Sequence, residues 1–385
     1  MVSCSHLRFL LLVLGMTLSM NPGIARAAEA GVSDNEIVVG QVLGLTGPLA
    51  ALAPDIANSV KVLFDSVNEK GGVYGRKIRV VTRDDGYAVP NTVKVVRQLI
   101  EEDRVFALLN MTGTSNVAAA LPLLEQEKPA VPLVAPFTGA DLVRNPPIKH
   151  VFNIRASYAD EAEKIVQHLT TIGKKRISVL WSNNGFGQDG LAGVQKAMEK
   201  RGLKIYSSVS IEQNASDTER AVAALHDTRP EAIIMITAGA PTVSFIKSYS
   251  SLRKGMQFYT LSVMGTQSTL RALGQDGVGV VVTSVVPFPW DYTHPLAKEY
   301  RAAMLKGGYR DLSFLGFEGY INAKVFVEGL KLAGKDLTRT KFIHAMESMK
   351  RSDFGGFEVS YSKDSRQGSR FVGLTIIGPG EKFTK

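Results

Sequence analysis

The chain has 385 residues, a formal charge of +9, and 45% hydrophobic and 21% charged residues. That is an ordinary globular composition with room for two domains, each with its own core. The charge is spread out, its densest run being Lys174-Lys175-Arg176, which argues against the concentrated basic stripe of a nucleic-acid-binding surface.

In chain order, Arg8 is followed by the apolar run Phe9 to Met20 and then by Ala25-Arg26-Ala27, with Ala28-Glu29-Ala30 as a second small-x-small site. This is the order of a secretory signal peptide. The apolar run is shorter than the ~20 residues needed to span a bilayer. Residues 1–27 are therefore expected to be cleaved and the mature chain exported. Cleavage removes Arg8 and Arg26, taking the charge from +9 to +7, and it removes Cys4, the only cysteine. The exported chain must be held by its core rather than by disulfides.

From Glu36, strands and helices alternate. Ile37 to Gly40 opens a strand ending at Thr46-Gly47-Pro48, and a helix follows from about Asn58 to Glu69. Lys77 to Val81 is a strand running into the turn Asp84-Asp85-Gly86. Pro90 to Glu102 is a helix, Val105 to Leu109 a strand, and Asn110 to Leu124 a polar loop opening a helix. Val131 to Val134 is a short strand. After Phe152-Asn-Ile-Arg155, Ser157 looks like an N-cap with acids in the first turn behind it. The pattern then restarts, with strands at Arg176–Leu180, Leu203–Val209, Ala232–Ile236, Gln257–Leu261 and Val278–Thr283. Helices are expected at Gly187–Lys200, Asp217–Leu225 and after Pro241. Beyond Pro287, helices at about His294–Lys306, Glu318–Ala333 and Thr340–Met349 have no local sheet of their own, and Phe354 to Ile377 reads as paired strands. The class is α/β, two runs of βαβ units on mostly parallel sheets. Crossings near residues 154 and 287 suit a hinged pair.

Two loops draw attention to themselves. Thr112-Gly113-Thr114-Ser115 sets hydroxyls and backbone N–H groups at a helix start, a cradle for a carboxylate. The ordinary alternative is an N-cap, the usual work of Ser and Thr. A second small polar turn, Pro136-Phe137-Thr138-Gly139-Ala140, follows the next strand, and neighbouring strand ends of a parallel sheet share one rim. Asn183 to Gly187, Thr237-Ala238-Gly239-Ala240-Pro241 and Leu261 to Gly265 are equivalent exits in the second run, where plain turn chemistry is the alternative. Motifs of catalysis are missing: there is no P-loop, dinucleotide fingerprint, G-x-S-x-G or H-E-x-x-H, and the histidines are scattered. Ser244-Phe-Ile-Lys247 matches S-x-x-K without its companion motifs and reads as helix surface. Asp84-Asp85 reads as a solvated turn rather than an acid–base pair. No cofactor or metal is implied.

Gly44-Leu-Thr-Gly47-Pro48, Asn68 to Val73, Arg83 to Gly86, Gly113-Thr-Ser115, Phe152 to Arg155, Phe186 to Leu191 and Phe317 to Tyr320 occur in an order and spacing that resembles the type I periplasmic substrate-binding proteins of ABC transporters. The closer likeness is to the leucine/isoleucine/valine-binding group. The resemblance implies two Rossmann-like lobes joined by a multi-strand hinge, here 34–153 plus 287–352 and 154–286 plus 353–385, with ligand held between them. It implies that the ligand carboxylate meets Thr112 to Ser115 and Phe137-Thr138, and that Phe186 covers the ligand from the second lobe. Ala240 and Met264 stand at second-lobe exits, and Leu52 stands where the first loop often carries an aromatic. The acid that amino-acid binders place after the strand matching Leu261 would fall near Val263 or Met264, and neither is acidic. The ligand is therefore expected to lack a free α-ammonium, unless Glu318 or Asp55 supplies the missing carboxylate. A non-enzymatic receptor, monomeric and periplasmic, delivering a small carboxylate-bearing molecule to an inner-membrane ABC permease is the leading expectation. A sensor of the same fold is the alternative.

Overall fold

The computed structural model describes residue 1 and residues 29–385, so the leader and its expected cleavage site at Ala27 lie outside the described residues. The first sheet gathers β1 (Glu36–Leu43), β2 (Lys77–Asp84), β3 (Ala107–Leu109), β4 (Leu133–Val134) and β5 (Val151–Phe152), linked by α1 (Ala53–Glu69), α2 (Val89–Glu101) and α3 (Thr114–Gln126). All its pairings are parallel, in the order β2-β1-β3-β4-β5. A parallel sheet covered on both faces needs strands that are apolar on both faces, and β1 meets that need. Ile37 and Val39 join one core cluster with Phe64 and Phe326, while Val38 and Val42 join another with Val96, Leu99 and Val117.

The chain then crosses to α4 (Tyr158–Thr171), entered through a capping box in which Ser157 accepts from the Asp160 N–H and Asp160 accepts from the Ser157 N–H. The second run follows as β6 (Ile177–Ser182), α5 (Gly185–Glu199), β7 (Ser208–Ile211), α6 (Thr218–Asp227), β8 (Ala232–Ile236), α7 (Ala240–Leu252), β9 (Gln257–Thr260), α8 (Gln267–Leu273) and β10 (Val281–Ser284). Its parallel strands stand in the order β7-β6-β8-β9-β10, which repeats the order of the first sheet strand for strand. The α/β class read from the sequence is therefore the class observed.

Next come α9 (Pro295–Lys306), α10 (Phe314–Ala333) and α11 (Arg339–Ser348). They pack on the first sheet: Gly319 lies against Ile56 of α1, and the Phe342 ring meets Phe106 edge-on at 5.4 Å. The short hairpin β11 (Ser352–Asp353) and β12 (Glu358–Val359) touches the start of α9 through the bond from Leu296 N–H to Gly355 O. Only β13 (Gly373–Gly378) and β14 (Lys382–Thr384) join the second sheet, both antiparallel.

A third crossing, between Val359 and Gly373, accompanies those near 154 and 287, a few residues later than the 352–353 boundary expected from sequence. It runs beside the first: Asn153 N–H donates to Arg366 O, and Gly368 N–H donates to Asn153 O. Some element limits also move. α1 begins at Ala53 rather than near Asn58, with Pro54 in its first turn where a missing N–H costs little. β7 begins at Ser208 rather than Leu203, because Leu203 and Ile205 rest on the core without joining the ladder.

Candidate functional site

In an open parallel sheet the crevice forms where successive connections leave toward opposite faces, at the carboxyl ends of the strands. In the order 2-1-3-4-5 this switch lies between β1 and β3, and in the second sheet between β6 and β8. The loops leaving those four strands are Gly44–Leu52, Asn110–Gly113, Asn183–Asn184 and Thr237–Gly239. Most of the residues singled out from sequence stand on them or on the helix starts that follow.

The first lobe's loop is shaped by glycine. Gly113 is the N-cap of α3 at φ +97°, and a Cβ there would lie 2.5 Å from the Tyr87 ring and 2.6 Å from Asn116 Oδ1. A glycine N-cap offers no side-chain acceptor, so the first N–H groups of α3 stay available at the positive end of the helix. Beside them, Thr112 Oγ1 is buried with no hydrogen-bond partner among the described residues. Thr114 and Thr138 bond to each other through their hydroxyls at 2.7 Å, and Thr138 Oγ1 also accepts from Ala140 N–H. These two hydroxyls lock the loop to the neighbouring turn. The bridge between Thr112 and Phe137 makes the same link through the backbone.

Asp85 holds this arrangement from below and corrects the reading of Asp84-Asp85 as a solvated turn. Its carboxylate is buried, accepting from Thr92 Oγ1 at 2.7 Å and from Asn116 Nδ2 at 3.0 Å. It ties α2 to the first turn of α3. Asp84 is exposed and caps the first loop, accepting from Leu45 N–H, Thr46 N–H and the Thr46 hydroxyl.

The second lobe comes down on this rim. Gly185 N–H donates to Ser115 Oγ at 3.2 Å, and Asp141 N–H donates to Asp189 Oδ2 at 2.8 Å. Gly239, at φ +66°, lies so near Pro48 that a Cβ would be 2.2 Å from its carbonyl oxygen. Leu52, Phe137 and Phe186 share one apolar cluster with Val263, and Phe186 packs on Tyr158 at 4.9 Å. Met264 is not in that cluster. Met264, at the end of the 3-10 turn Ser262–Met264, belongs instead to the larger core cluster, leaving Val263 with the cleft residues. Ala240 is exposed, and its neighbour Gly239 makes the cross-lobe contact instead.

Where the lobes cross, the fold buries four charges that the sequence pass did not assemble. Arg144 donates to the carbonyls of Thr138, Ala140 and Arg155 and to Gln367 Oε1. Burial and nearby Arg155 pull its guanidinium down to about 10. Glu161 of α4 accepts from Ser262 N–H, the Ser262 hydroxyl and the Thr283 hydroxyl. Arg155, on the first crossing, lies with its guanidinium 4.5 Å from the centre of the Phe137 ring. Glu318 of α10 is 3.6 Å from Arg155 Nε, and burial, opposed by Arg155, pushes its carboxyl up to about 7. Arg155 stood in the sequence only as the end of the family-like segment Phe152 to Arg155, with no role assigned: an isolated arginine after a strand ordinarily faces solvent, and Ser262 and Glu318 lie far along the chain.

The surface also has grooves. One of about 610 Å³ runs between the start of α1, α8 and the loop before α10, lined by Asp55, Arg271, Tyr309 and Asp311 among others. Asp55 faces this groove, and none of Thr112 to Ser115, Phe137, Thr138 or Phe186 lines it. The rim is the better candidate because unpaired donors and helix N–H groups converge there, whereas the groove is a shallow flank lined by charges of both signs. Among the described residues no group of three His, Cys, Asp or Glu side chains could hold a metal ion, and no helix is long and apolar enough to cross a membrane.

Comparison with known proteins agrees with this fold. The structure superposes on a substrate-binding periplasmic protein from Ralstonia solanacearum with a TM-score of 0.85 at 31% identity, covering 90% of this chain and 99% of that one. It matches a fatty acid ABC transporter substrate-binding protein from Thermomonospora curvata with a TM-score of 0.78 at 25% identity, covering 90% of each chain. In sequence it is 23% identical to Leu/Ile/Val-binding protein homolog 7 of Brucella suis biovar 1, over 85% of this chain and 84% of that protein. The model of the periplasmic binding protein family matches residues 36–375. With two lobes facing each other across their switch points and a family match spanning nearly all of the described chain, this protein belongs to the periplasmic binding protein family.

Proposed function

We propose that the protein captures a small carboxylate-bearing ligand between its lobes and delivers it to an inner-membrane ABC permease. The observation that carries this reading is the unpaired, buried Thr112 hydroxyl beside the uncapped first turn of α3. A buried hydroxyl without a partner costs free energy unless something supplies one. A carboxylate there would take the hydroxyl and the helix N–H groups together. Ser115 and Thr138 frame it from the same rim, Phe137 and Leu52 line its apolar side, and Phe186 closes over it from the second lobe. The lobes are taken as 34–153 plus 287–352 and 154–286 plus 353–385, with the last boundary moved into the crossing between Val359 and Gly373, the leader as cleaved, and the protein as a monomer without cofactor. The fatty acid named for the Thermomonospora protein is an amine-free carboxylate, and the absence of an acid at Val263 or Met264 supports the same class here.

Thermal shift against a panel of aliphatic, aromatic, 2-oxo and 2-amino acids tests this, since a ligand that binds only the folded state raises its midpoint. A rise with carboxylic acids and none with their neutral amides is the expected result. A panel in which amides stabilise as well as acids would count against the cradle.

A further inference from the structure

Arg155 is buried at 2% exposure, yet two of its three nitrogens, Nε and Nη1, have no hydrogen-bond partner among the described residues. Its Nη2 donates to the Ser262 hydroxyl. Two carboxylates stand close without serving it. Glu318 Oε1 is 3.6 Å from Nε and Glu161 Oε1 is 3.7 Å from Nη2, both beyond a normal hydrogen bond. Glu161 is already taken up by Ser262 and Thr283. A guanidinium retained only to neutralise buried acids would bond them in its forked geometry.

Its position points toward the cleft. It lies on the face of Phe137, the residue bridged to Thr112, and within 5.8 Å of the ring of Tyr158, which packs on Phe186. Ser262 begins the turn that carries Val263 into the cleft cluster. Arg144 and Arg155 face Glu161 and Glu318, and burial, opposed by Arg155, raises the Glu318 carboxyl to about 7. A dry spot with two unmet guanidinium N–H groups favours an anion and repels an ammonium.

We propose that Arg155 is the specificity-determining cation of the cleft, its Nε and Nη1 donating to an anionic oxygen of the ligand and selecting amine-free carboxylates over zwitterionic amino acids. The proposal rests on the carboxylate reading above and assigns its selectivity for amine-free acids to one residue. Under it Glu318 is the acid that tempers Arg155, not the acceptor for an ammonium. Acid affinity should then decline as pH rises through neutrality, because ionised Glu318 competes for the guanidinium. The other charged or titratable groups facing it are Arg144, on the loop before β5, and Tyr158 and Glu161, both on α4.

Calorimetry with octanoate, benzoate, 4-methyl-2-oxopentanoate and leucine tests this on wild type, Arg155→Lys, Arg155→Gln and Glu318→Gln, with circular dichroism to confirm folding. Wild type should bind at least one amine-free acid more tightly than leucine. Arg155→Gln should weaken that acid by about 30-fold or more, and Arg155→Lys by less, since it keeps the charge and loses the fork. Glu318→Gln should bind the acid at pH 8 at least as tightly as wild type does and lose the decline with pH. If Arg155→Gln does not fold, Arg155→Lys and Glu318→Gln still decide the matter. Folded Arg155 variants that bind the acid like wild type would overturn the role of Arg155 and leave the carboxylate receptor standing, as would tighter binding of leucine than of its oxo acid. Wild type that binds none of the four would sink both.

Discussion

Thr112 and Thr138 are the same residue type on one rim, and the structure gives them different work. Thr112 Oγ1 is unpaired, while Thr138 Oγ1 bonds Thr114 and Ala140. Thr112→Val should therefore leave the melting temperature nearly unchanged and weaken acid binding by roughly ten-fold, the worth of one charge-assisted hydrogen bond. Thr138→Val strands the Thr114 hydroxyl and should cost roughly 1–3 kcal/mol of stability. Paired melting and calorimetry separate the two; equal stability losses would contradict the assignment. Glu318 yields a pH prediction. Its folded carboxyl titrates near 7 rather than at the ordinary 4.5. The folded state therefore keeps a proton that the unfolded state has already released, and its stabilising contribution is full below 4.5 and lost as pH rises through about 7. Wild type should lose stability between pH 5 and pH 7.5 by urea titration, and Glu318→Gln should lose less.

At the scale of elements, Gly113 is the most demanding position on the rim. Gly113→Ala would need φ near +97° and would drive its methyl into Tyr87 and Asn116. A loss of at least ~1–3 kcal/mol is expected, with the α3 start misplaced, so urea melts and ligand binding should fail together. The order of strands and helices was legible in the sequence because each strand of these parallel sheets is a compact apolar run and each loop carries Gly, Asn or Thr. The rim was legible for the same reason: Thr112 to Ser115 and Phe137-Thr138 are local patterns. The polar supports were not. Asp85 meets Asn116, and Arg155 meets Ser262 and Glu318, only once the sheets are assembled. Ala240 and Met264 show a different limit, since naming the right turn does not say which of its residues faces inward. The place of the third crossing was less legible than its existence, because residues 360–372 bond to the first crossing in a single bridge rather than a ladder.

For the molecule as a whole, closure is the property to measure. Small-angle scattering should show the radius of gyration falling when a bound acid saturates the protein. Gly239→Ala sets a methyl against the Pro48 carbonyl where the lobes meet and also strains the start of α7 at φ +66°. That variant should lose some stability by urea melt yet stay folded by circular dichroism, and hold the larger radius with ligand present. Mass spectrometry of protein recovered from the periplasm should give a chain beginning just after Ala27; retention of Met1 would contradict cleavage.

The two sheets share a strand order, and their contacts exchange roles: the loop after β1 meets the loop after β8, and the helix start after β3 meets that after β6. Gly113 and Gly239 are counterparts, each the N-cap of the helix after the third strand of its sheet. Behind Gly113 stand Thr114 and Ser115; behind Gly239 stand Ala240 and Pro241. One half of a near-symmetric jaw is thus polar and the other inert, and time enters through that difference. An anion arriving from solvent meets the Thr112 hydroxyl and the α3 N–H groups on the first lobe, with Arg155 beside them at the crossing, so the encounter rate should be set there. The second lobe adds apolar cover and a latch, and should govern how long the ligand stays. Stopped-flow traces should accordingly show Thr112→Val acting on capture, and Phe186→Ala acting mainly on escape.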